Sequence, residues 1–406
     1  GQVSLGLSGI GWQADSTIFP GLNTSATGFA GTFRIGDSAT IDTSAATVLS
    51  ATTDGSRQGR MVDGGTITLS FSGDPPAARQ TLIDVAPGAR LVARGASDTL
   101  QVSVQGGEGR RRQDERVIGA PGSIVIHAQQ GGARVAGQLD ARSVDATVPG
   151  GRLVITQPDY NTAADVGEVA EHAIRISAGP LPAPIADERG AVRISAQTIN
   201  AGGFGELSLR TPQRVDFDGN VEIDVNQRIA IDAAVVSASA GSDVLLTAPS
   251  LRLSAPSAAP QRGYTATEGT ARLVVAAGRV ELAGEQTQQG LAQFSAIARS
   301  HIELQGVTSG AQAGAVSPGA LRTLADVTFA APQTSVATLS PFTIDAPDQL
   351  VRFTEGRADS APLLAAGGSL TVNAGTILQD GVLRAPLGSI TLNGVLLGVE
   401  RHAWKL

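Results

Sequence analysis

Cysteine is absent from this chain, and several kinds of chemistry are excluded with it. Without a thiol the protein can form no disulfide, no thiolate metal site and no cysteine nucleophile. The absence also suits a chain that is threaded unfolded through an oxidising periplasm, where stray disulfides would block its passage.

Aromatic residues are scarce as well, at 3% of the sequence, whereas glycine alone contributes 50 of the 406 residues. Large round cores are usually anchored by bulky aromatic side chains. With 42% hydrophobic residues the chain can bury a core, and we expect that core to be thin and filled by Val, Ile, Leu and Ala.

Neither charge nor hydropathy is concentrated in any one segment. The net charge is −7, and Lys405 is the only lysine beside the arginines. The absence of a basic stripe argues against nucleic acid as a partner, and the absence of an acidic tail argues against a disordered charged extension.

Since no run of about 18 apolar residues occurs, no membrane-spanning helix is predicted. The opening "GQVSLGLSG" lacks the features of a signal peptide, so we expect a mature chain or a fragment.

What the sequence does contain is a long series of short segments in which apolar and polar residues alternate. This period of two is typical of β-strands that bury one face. The predicted inward pairs are Ile67/Leu69, Ile124/Ile126, Leu153/Ile155, Ile174/Ile176, Val192/Ile194, Leu207/Leu209, Val221/Ile223/Val225, Ile229/Ile231, Leu251/Leu253, Val280/Leu282, Ile302/Leu304, Leu370/Val372 and Ile390/Leu392.

The spacing of these segments indicates the architecture. Leu207, Ile229 and Leu251 recur at intervals of 22 residues, with shorter strands between them. A repeat of roughly 20 residues made only of strands and turns is typical of one coil of a β-solenoid. Most breaks are Ala-Pro or Ala-Gly corners rather than the Asn-Gly reversals of hairpins. The sequence therefore predicts an all-β, right-handed parallel β-helix with loop insertions.

Segments rich in Pro, Gly and charge interrupt this pattern and are predicted to be surface insertions. They cover residues 73–79, 106–116, 157–172, 179–190, 256–269 and 346–368. We divide the chain into less regular N-terminal coils (1–60), a main β-helix with insertions (61–345), a long loop insertion (346–368), and C-terminal coils with a tail (369–406). Insertions of a solenoid often gather on one side and carry binding, and the predicted binding-loop residues are Arg110, Arg111, Arg112, Tyr160, Tyr264, Arg352 and Arg357.

Particular phrases resemble a known family. "GGSLTVNAGTILQDGVLRAPLGSITLNG" (367–394), "TINAGGFGELSLR" (198–210) and "GALRTLADVTFAAPQTSVATLSPFTI" (319–344) are similar to the filamentous haemagglutinin family, and in particular to large proteobacterial exoproteins of the two-partner secretion type. The resemblance implies a right-handed β-helix that leaves the cell through an outer-membrane pore partner. It also implies a location on the cell surface or in the medium, and a role in adhesion. The Asn-Pro-Asn-Gly-type phrases of the family's secretion domain are not visible in this sequence.

One segment could carry chemistry. In "VDFDGNVEIDV" the outward carboxylates are those of Asp216, Asp218, Glu222 and Asp224. Carboxylates at i and i+2 lie about 7 Å apart, which suits an acid and a base on a glycosidic bond, and their oxygens would also suit Ca²⁺. We interpret them first as a solvated face, with a weak Ca²⁺ site and catalysis as the alternatives.

Histidines and arginines offer no stronger site. His127, His172, His301 and His402 do not share metal-ligand spacing, and each is predicted to be a surface residue. The arginine run 110–112 could meet an acidic glycan or phosphate, although acidic residues follow it directly. The sequence thus predicts a non-enzymatic protein without cofactors, which contacts a host-cell, bacterial or glycan surface. A self-assembling filament or sheath subunit and a carbohydrate-active β-helix enzyme are the alternatives.

Overall fold

The computed structural model describes residues 2–9, 32–73, 82–106, 109–128, 131–157, 173–181, 190–255, 264–308, 316–356 and 364–397. Within these ranges the chain is all-β, and the only helix is the six-residue α1 (Ala196–Ala201). No helix in the described ranges is long and apolar enough to cross a membrane. The all-β prediction is therefore confirmed.

The chain divides into two compact units, which are described separately. Unit 1 comprises residues 1–156 and 180–207, and unit 2 comprises residues 157–179 and 208–406. The strands of unit 1 are β1 (Gln2–Gly9), β2 (Thr32–Ile35), β3 (Thr40–Asp42), β4 (Ala46–Leu49), β5 (Gly59–Val62), β6 (Thr66–Gly73), β7 (Leu82–Val85), β8 (Arg90–Val92), β9 (Ala96–Gly106), β10 (Gly109–Gly119), β11 (Ser123–His127), β12 (Ala133–Val135), β13 (Gln138–Asp140), β14 (Arg152–Thr156) and β16 (Val192–Ser195).

The remaining strands lie in unit 2, except that β17 straddles the division. They are β15 (Ala173–Ser177), β17 (Glu206–Arg210), β18 (Arg214–Asp218), β19 (Val221–Asp224), β20 (Arg228–Asp232), β21 (Val235–Ala238), β22 (Asp243–Ser254), β23 (Thr267–Ala283), β24 (Glu285–Gln305), β25 (Val307–Thr308), β26 (Val316–Ser317), β27 (Gly319–Arg322), β28 (Asp326–Ala331), β29 (Thr334–Val336), β30 (Pro341–Glu355), β31 (Ser369–Gln379), β32 (Leu383–Arg384) and β33 (Ser389–Leu397).

Parallel pairing organises unit 1 into three ladders. Ladder A joins β1, β6, β11 and β14, ladder B joins β2, β7, β12 and β16, and ladder C joins β3, β8 and β13. The chain passes from A to B to C through β6, β7 and β8, and repeats this order through β11, β12 and β13. Each strand thus pairs with strands that are distant in sequence.

Unit 2 repeats the arrangement with ladders D, E and F. Ladder D contains parts of β20, β22, β23, β24, β29 and β32. Ladder E contains parts of β15, β18, β21, β24, β27, β30, β31 and β33. Ladder F contains parts of β19, β22, β23, β24, β28, β30, β31 and β33. Long strands contribute to more than one ladder, and β24 contributes to all three.

Inward side chains of neighbouring strands stack in register and form the core. Ile229 pairs with Leu251, and Leu251 pairs with Val280, and all three are fully buried. The predicted inward residues are buried from Ile67 to Val372. The prediction is wrong at the last pair, since Ile390 is 39% exposed and Leu392 is only partly buried. In the described part of the chain β33 pairs in register with β31, and its inward side chains are less covered than those of the preceding strands.

Two of the predicted insertions are ordered as strands. The segment predicted as a loop over 106–116 belongs to an antiparallel hairpin, in which Leu100 on β9 pairs with Glu115 on β10. Val102 on β9 likewise pairs with Gln113 on β10, so the polar residues of this segment belong to a strand.

The long loop predicted over 346–368 is also wrong in its first half. Strand β30 continues to Glu355, with a register shift between Ala346 and Leu350. Val351 and Phe353 resume the inward alternation and are buried. Pro347 and Asp348 lie at this shift. They interrupt the alternation but do not end the strand, because parallel pairing resumes at Leu350 after a local bulge.

Candidate functional site

Two antiparallel hairpins leave unit 1 at the same point of the repeat. The β4–β5 hairpin lies between β3 and β6, and the β9–β10 hairpin lies between β8 and β11. Both therefore connect a strand of ladder C to a strand of ladder A. We call these four strands and the residues between β4 and β5 the hairpin pair.

Polar contacts join the two hairpins. An ion pair of 2.7 Å links Nη2 of Arg57 to Oδ2 of Asp98, and a second of 2.5 Å links Nη2 of Arg112 to Oδ2 of Asp54. The backbone N–H of Gln101 also donates to the carbonyl of Arg57 at 2.8 Å. Hairpins inserted at equivalent positions of successive repeats thus support each other.

The acidic partners in these contacts are stabilised as carboxylates. Hydrogen bonds from Ser56, and then from Arg112, lower the pKa of Asp54 to about 2. A hydrogen bond from Thr47 and further donors, including Arg57, lower the pKa of Asp98. A depressed folded-state pKa contributes stability above the unfolded value, near 4, and loses it as the pH falls through the folded value. The contacts between the hairpins therefore persist at neutral and mildly acidic pH.

The hairpin pair exposes apolar as well as charged side chains. Val48 is 52% exposed, Leu49 51% and Val102 36%, while Arg112 is also largely open to solvent. Protein-binding surfaces commonly combine apolar side chains with arginine. This part of unit 1 therefore has the composition of a docking surface.

The predicted binding-loop residues have different outcomes. Arg112 belongs to the hairpin pair, as do Arg110 and Arg111, whose side chains lie outside the described part. Tyr160 and Arg357 lie outside the described residues. Tyr264 is partly buried, and Arg352 is an exposed outward residue of β30 rather than a loop residue.

The four predicted acidic residues do not form one site. Asp216 is engaged by arginines, with Nε of Arg214 donating to Oδ1 at 2.7 Å and Nε of Arg175 lying 3.4 Å from Oδ2. Ser237 also donates to its carboxylate. Asp216 thus belongs to a network that spans three neighbouring strands of ladder E.

The other three acidic residues lie on outward positions and are exposed. Asp218 ends β18 in ladder E, whereas Glu222 and Asp224 belong to β19 in ladder F. Among the described residues no group of three or more acidic or histidine side chains could hold a metal ion. The four residues therefore do not come together as one group, because Asp216 and Asp218 belong to ladder E and Glu222 and Asp224 to ladder F.

Sequence analysis missed a more concentrated polar cluster on ladder D. Glu281 is 7% exposed, and its Oε1 accepts from Nε2 of Gln305 at 2.7 Å. Arg252 lies 3.0 Å from the same oxygen, and Arg279 donates to Oε2 at 3.0 Å. Both carboxylate oxygens are thus engaged, which suits a structural role.

Two further titratable residues border this cluster. Burial raises the pKa of Glu303, which pairs in register with Glu281. Burial also lowers the pKa of His301, which is partly buried at its outward position. The signal was present in the sequence, since "VELAG" and "HIELQG" place a Glu between inward apolar residues at the repeat interval.

The raised pKa of Glu303 predicts that its ionisation opposes folding at neutral pH. A raised folded-state pKa favours the fold at low pH, and that contribution is lost as the pH rises through the folded value. We expect Glu303→Gln to raise the melting temperature at pH 7 by about 1–3 °C, with the difference shrinking below about pH 4. Glu268→Gln, at an exposed position of β23, is the control and should have no effect. Equal shifts for both variants, or a shift that is independent of pH, would contradict this assignment.

Comparisons with known proteins identify no relative. No protein-family model matches the chain, and neither a curated protein nor a solved structure matches it. The functional argument therefore depends on the residues and geometry described above.

Proposed function

We propose that this chain is a right-handed parallel β-helix of a secreted or cell-surface exoprotein. In this proposal it resembles the filamentous haemagglutinins, is exported through an outer-membrane pore partner and acts without catalysis in adhesion. The hairpin pair is its contact surface.

The regular order of the ladders supports the fold assignment. In unit 2 the chain visits D, E and F in turn through β20, β21 and β22, and each strand pairs in parallel with one from a later repeat. Parallel connections within a sheet are overwhelmingly right-handed. Repeats of this kind present long polar surfaces for binding.

The observation that carries the adhesive role is the composition of the hairpin pair. The hairpin pair combines the exposed apolar side chains of Val48, Leu49 and Val102 with the exposed guanidinium of Arg112. Exposed apolar groups of this kind mark contact surfaces when they cluster. The resemblance of the sequence to exported adhesins supports a cellular partner for that surface.

The test is binding of the purified, fluorescently labelled chain to bacterial and host cells. We expect saturable binding that falls by about tenfold when Arg110, Arg111 and Arg112 are all replaced by Gln, because arginine anchors often dominate contact surfaces.

A matched triple variant controls for net charge. Arg210, Arg228 and Arg272 are exposed on outward positions of unit 2, and replacing all three by Gln should leave binding nearly unchanged. Absence of saturable binding on every cell type, or an equal loss for both triple variants, would refute the adhesive role. Circular dichroism of each variant checks that the strand content is retained.

A further inference from the structure

A polar groove on the outer face of ladder C is not part of the hairpin pair. Its volume is about 290 Å³, near the lower end of the range for small-ligand sites. Strands β8 and β13 contribute Arg90 and Gln138, which are paired in register, and α1 contributes Gln197 and Thr198. Arg142 lines the groove as well.

The guanidinium group of Arg142 is held in place by a buried carboxylate. Its Nε donates to Oδ1 of Asp140 at 3.1 Å, and its Nη2 donates to Oδ2 at 2.8 Å. Arg94 donates from Nε to the same Oδ2 at 2.6 Å. Burial opposes ionisation of Asp140, yet the bonds from Arg142 and Arg94 outweigh it and lower its pKa. Asp140 is therefore ionised and orients the guanidinium of Arg142. Its single negative charge does not cancel the positive charges of the two arginines that line the groove.

Glycine at position 203 allows this placement. A Cβ on Gly203 would overlap Cγ of Arg142, and the residue has a φ of 62°. This left-handed conformation is readily available to glycine. The stem of Arg142 can therefore lie directly against the backbone.

Other polar groups of the groove remain available to a ligand. Among the described residues, Arg90, Gln138 and Gln197 have no side-chain hydrogen bond or ion pair, and all three are exposed. The lining has two arginines and one carboxylate, and that carboxylate is already shared by two arginines. Donors therefore outnumber ionised acceptors in this groove.

We propose that the groove binds a carboxylate-bearing sugar residue, such as a uronic acid within an acidic polysaccharide. The planar guanidinium of arginine matches a carboxylate with two parallel hydrogen bonds, which Arg90 supplies. The amides of Gln138 and Gln197 bind ring hydroxyls, and Val92 and Ala201 provide the small apolar contact. No aromatic ring lines the groove for sugar stacking, so charge recognition selects the ligand. The inference deepens the proposed adhesive function and rests on it.

Calorimetry with a tetrasaccharide of galacturonic acid tests this assignment on the purified chain. We expect binding by the wild type, and a loss of about tenfold or more for the methyl-esterified tetrasaccharide, because the ester removes a charge-assisted hydrogen bond. Arg90→Gln should cause a comparable loss, whereas Arg228→Gln should not.

Other results would overturn it. Equal affinity for the acid and its ester, or unchanged affinity in Arg90→Gln, would exclude recognition of the carboxylate. A sulfated oligosaccharide without uronic acid that binds as tightly, and whose binding is lost in Arg90→Gln, would exclude selection for a carboxylate. If the chain binds cells through the hairpin pair but not this tetrasaccharide, the groove assignment alone fails. If the tetrasaccharide binds but cells do not, the adhesive function fails.

Discussion

Replacing Phe329 by Ala should produce one of the largest losses of stability available in unit 2. Phe329 is fully buried. Its ring stacks on that of Phe353, with centroids 5.2 Å apart, and meets the ring of Phe294 edge-on at 6.5 Å. Removing a buried Phe side chain costs about 3–5 kcal/mol through lost burial and the cavity that remains. Ring pairing adds about 0.5–1.5 kcal/mol to such contacts.

Urea unfolding monitored by circular dichroism measures this effect. Phe329→Leu should recover much of the loss, because it refills most of the cavity with an apolar side chain. Thr328→Ala, at the adjacent outward position, should change the free energy of unfolding by less than about 1 kcal/mol. A loss below about 1.5 kcal/mol for Phe329→Ala would mean that the surrounding side chains collapse into the space.

The inward rows were predictable because burial in a ladder depends on local alternation. Leu207, Ile229 and Leu251 occur at the repeat interval and are all fully buried, and Ile229 stacks on Leu251. Period-two patterning fixes which face is buried whatever the neighbouring strand is. The sequence therefore sufficed to identify the core, although not the residues that depart from it.

Polar residues on the inward face show where that reasoning ends. Gln288 of β24 is 1% exposed and pairs with the buried Val236. Neither atom of its amide finds a hydrogen-bond partner among the described residues. A buried polar group without a hydrogen-bond partner destabilises the fold. An apolar residue would therefore be expected at this position. Its register is fixed by the strands on either side, which local sequence does not reveal.

The candidate sites were predicted less well than the core. Arg112 was identified from a run of arginines, but its ion pair with Asp54 joins residues that are far apart in sequence. The groove residues Arg90 and Arg142 gave no signal, since each is an isolated arginine in an ordinary strand or corner. Sites assembled across repeats depend on register, whereas the sequence directly shows only spacing.

A buried ion pair on ladder B provides the second large expected effect. Nη1 of Arg134 donates to Oδ1 of Asp84 at 3.0 Å, and the two side chains are 9% and 5% exposed. They are paired in register on β12 and β7. Nε of the exposed Arg34 lies 3.7 Å from Oδ2 of Asp84 and remains after the change. Arg134→Met should therefore lower the stability of unit 1 by about 3 kcal/mol, because the buried carboxylate loses its closest cation.

Arg152→Met is the matched control, since Arg152 and Glu206 form an ion pair of 3.4 Å with side chains that are 50% and 26% exposed. Exposed pairs contribute less than about 1 kcal/mol, so this variant should stay close to the wild type in urea unfolding. The double variant Asp84→Leu with Arg134→Met should recover most of the loss, because an apolar pair replaces both charges. A double variant as unstable as Arg134→Met alone would show that packing by the arginine stem, rather than its charge, stabilises ladder B. If the double variant regains stability, the ion pair is costly to break but is not required for the parallel pairing of ladder B.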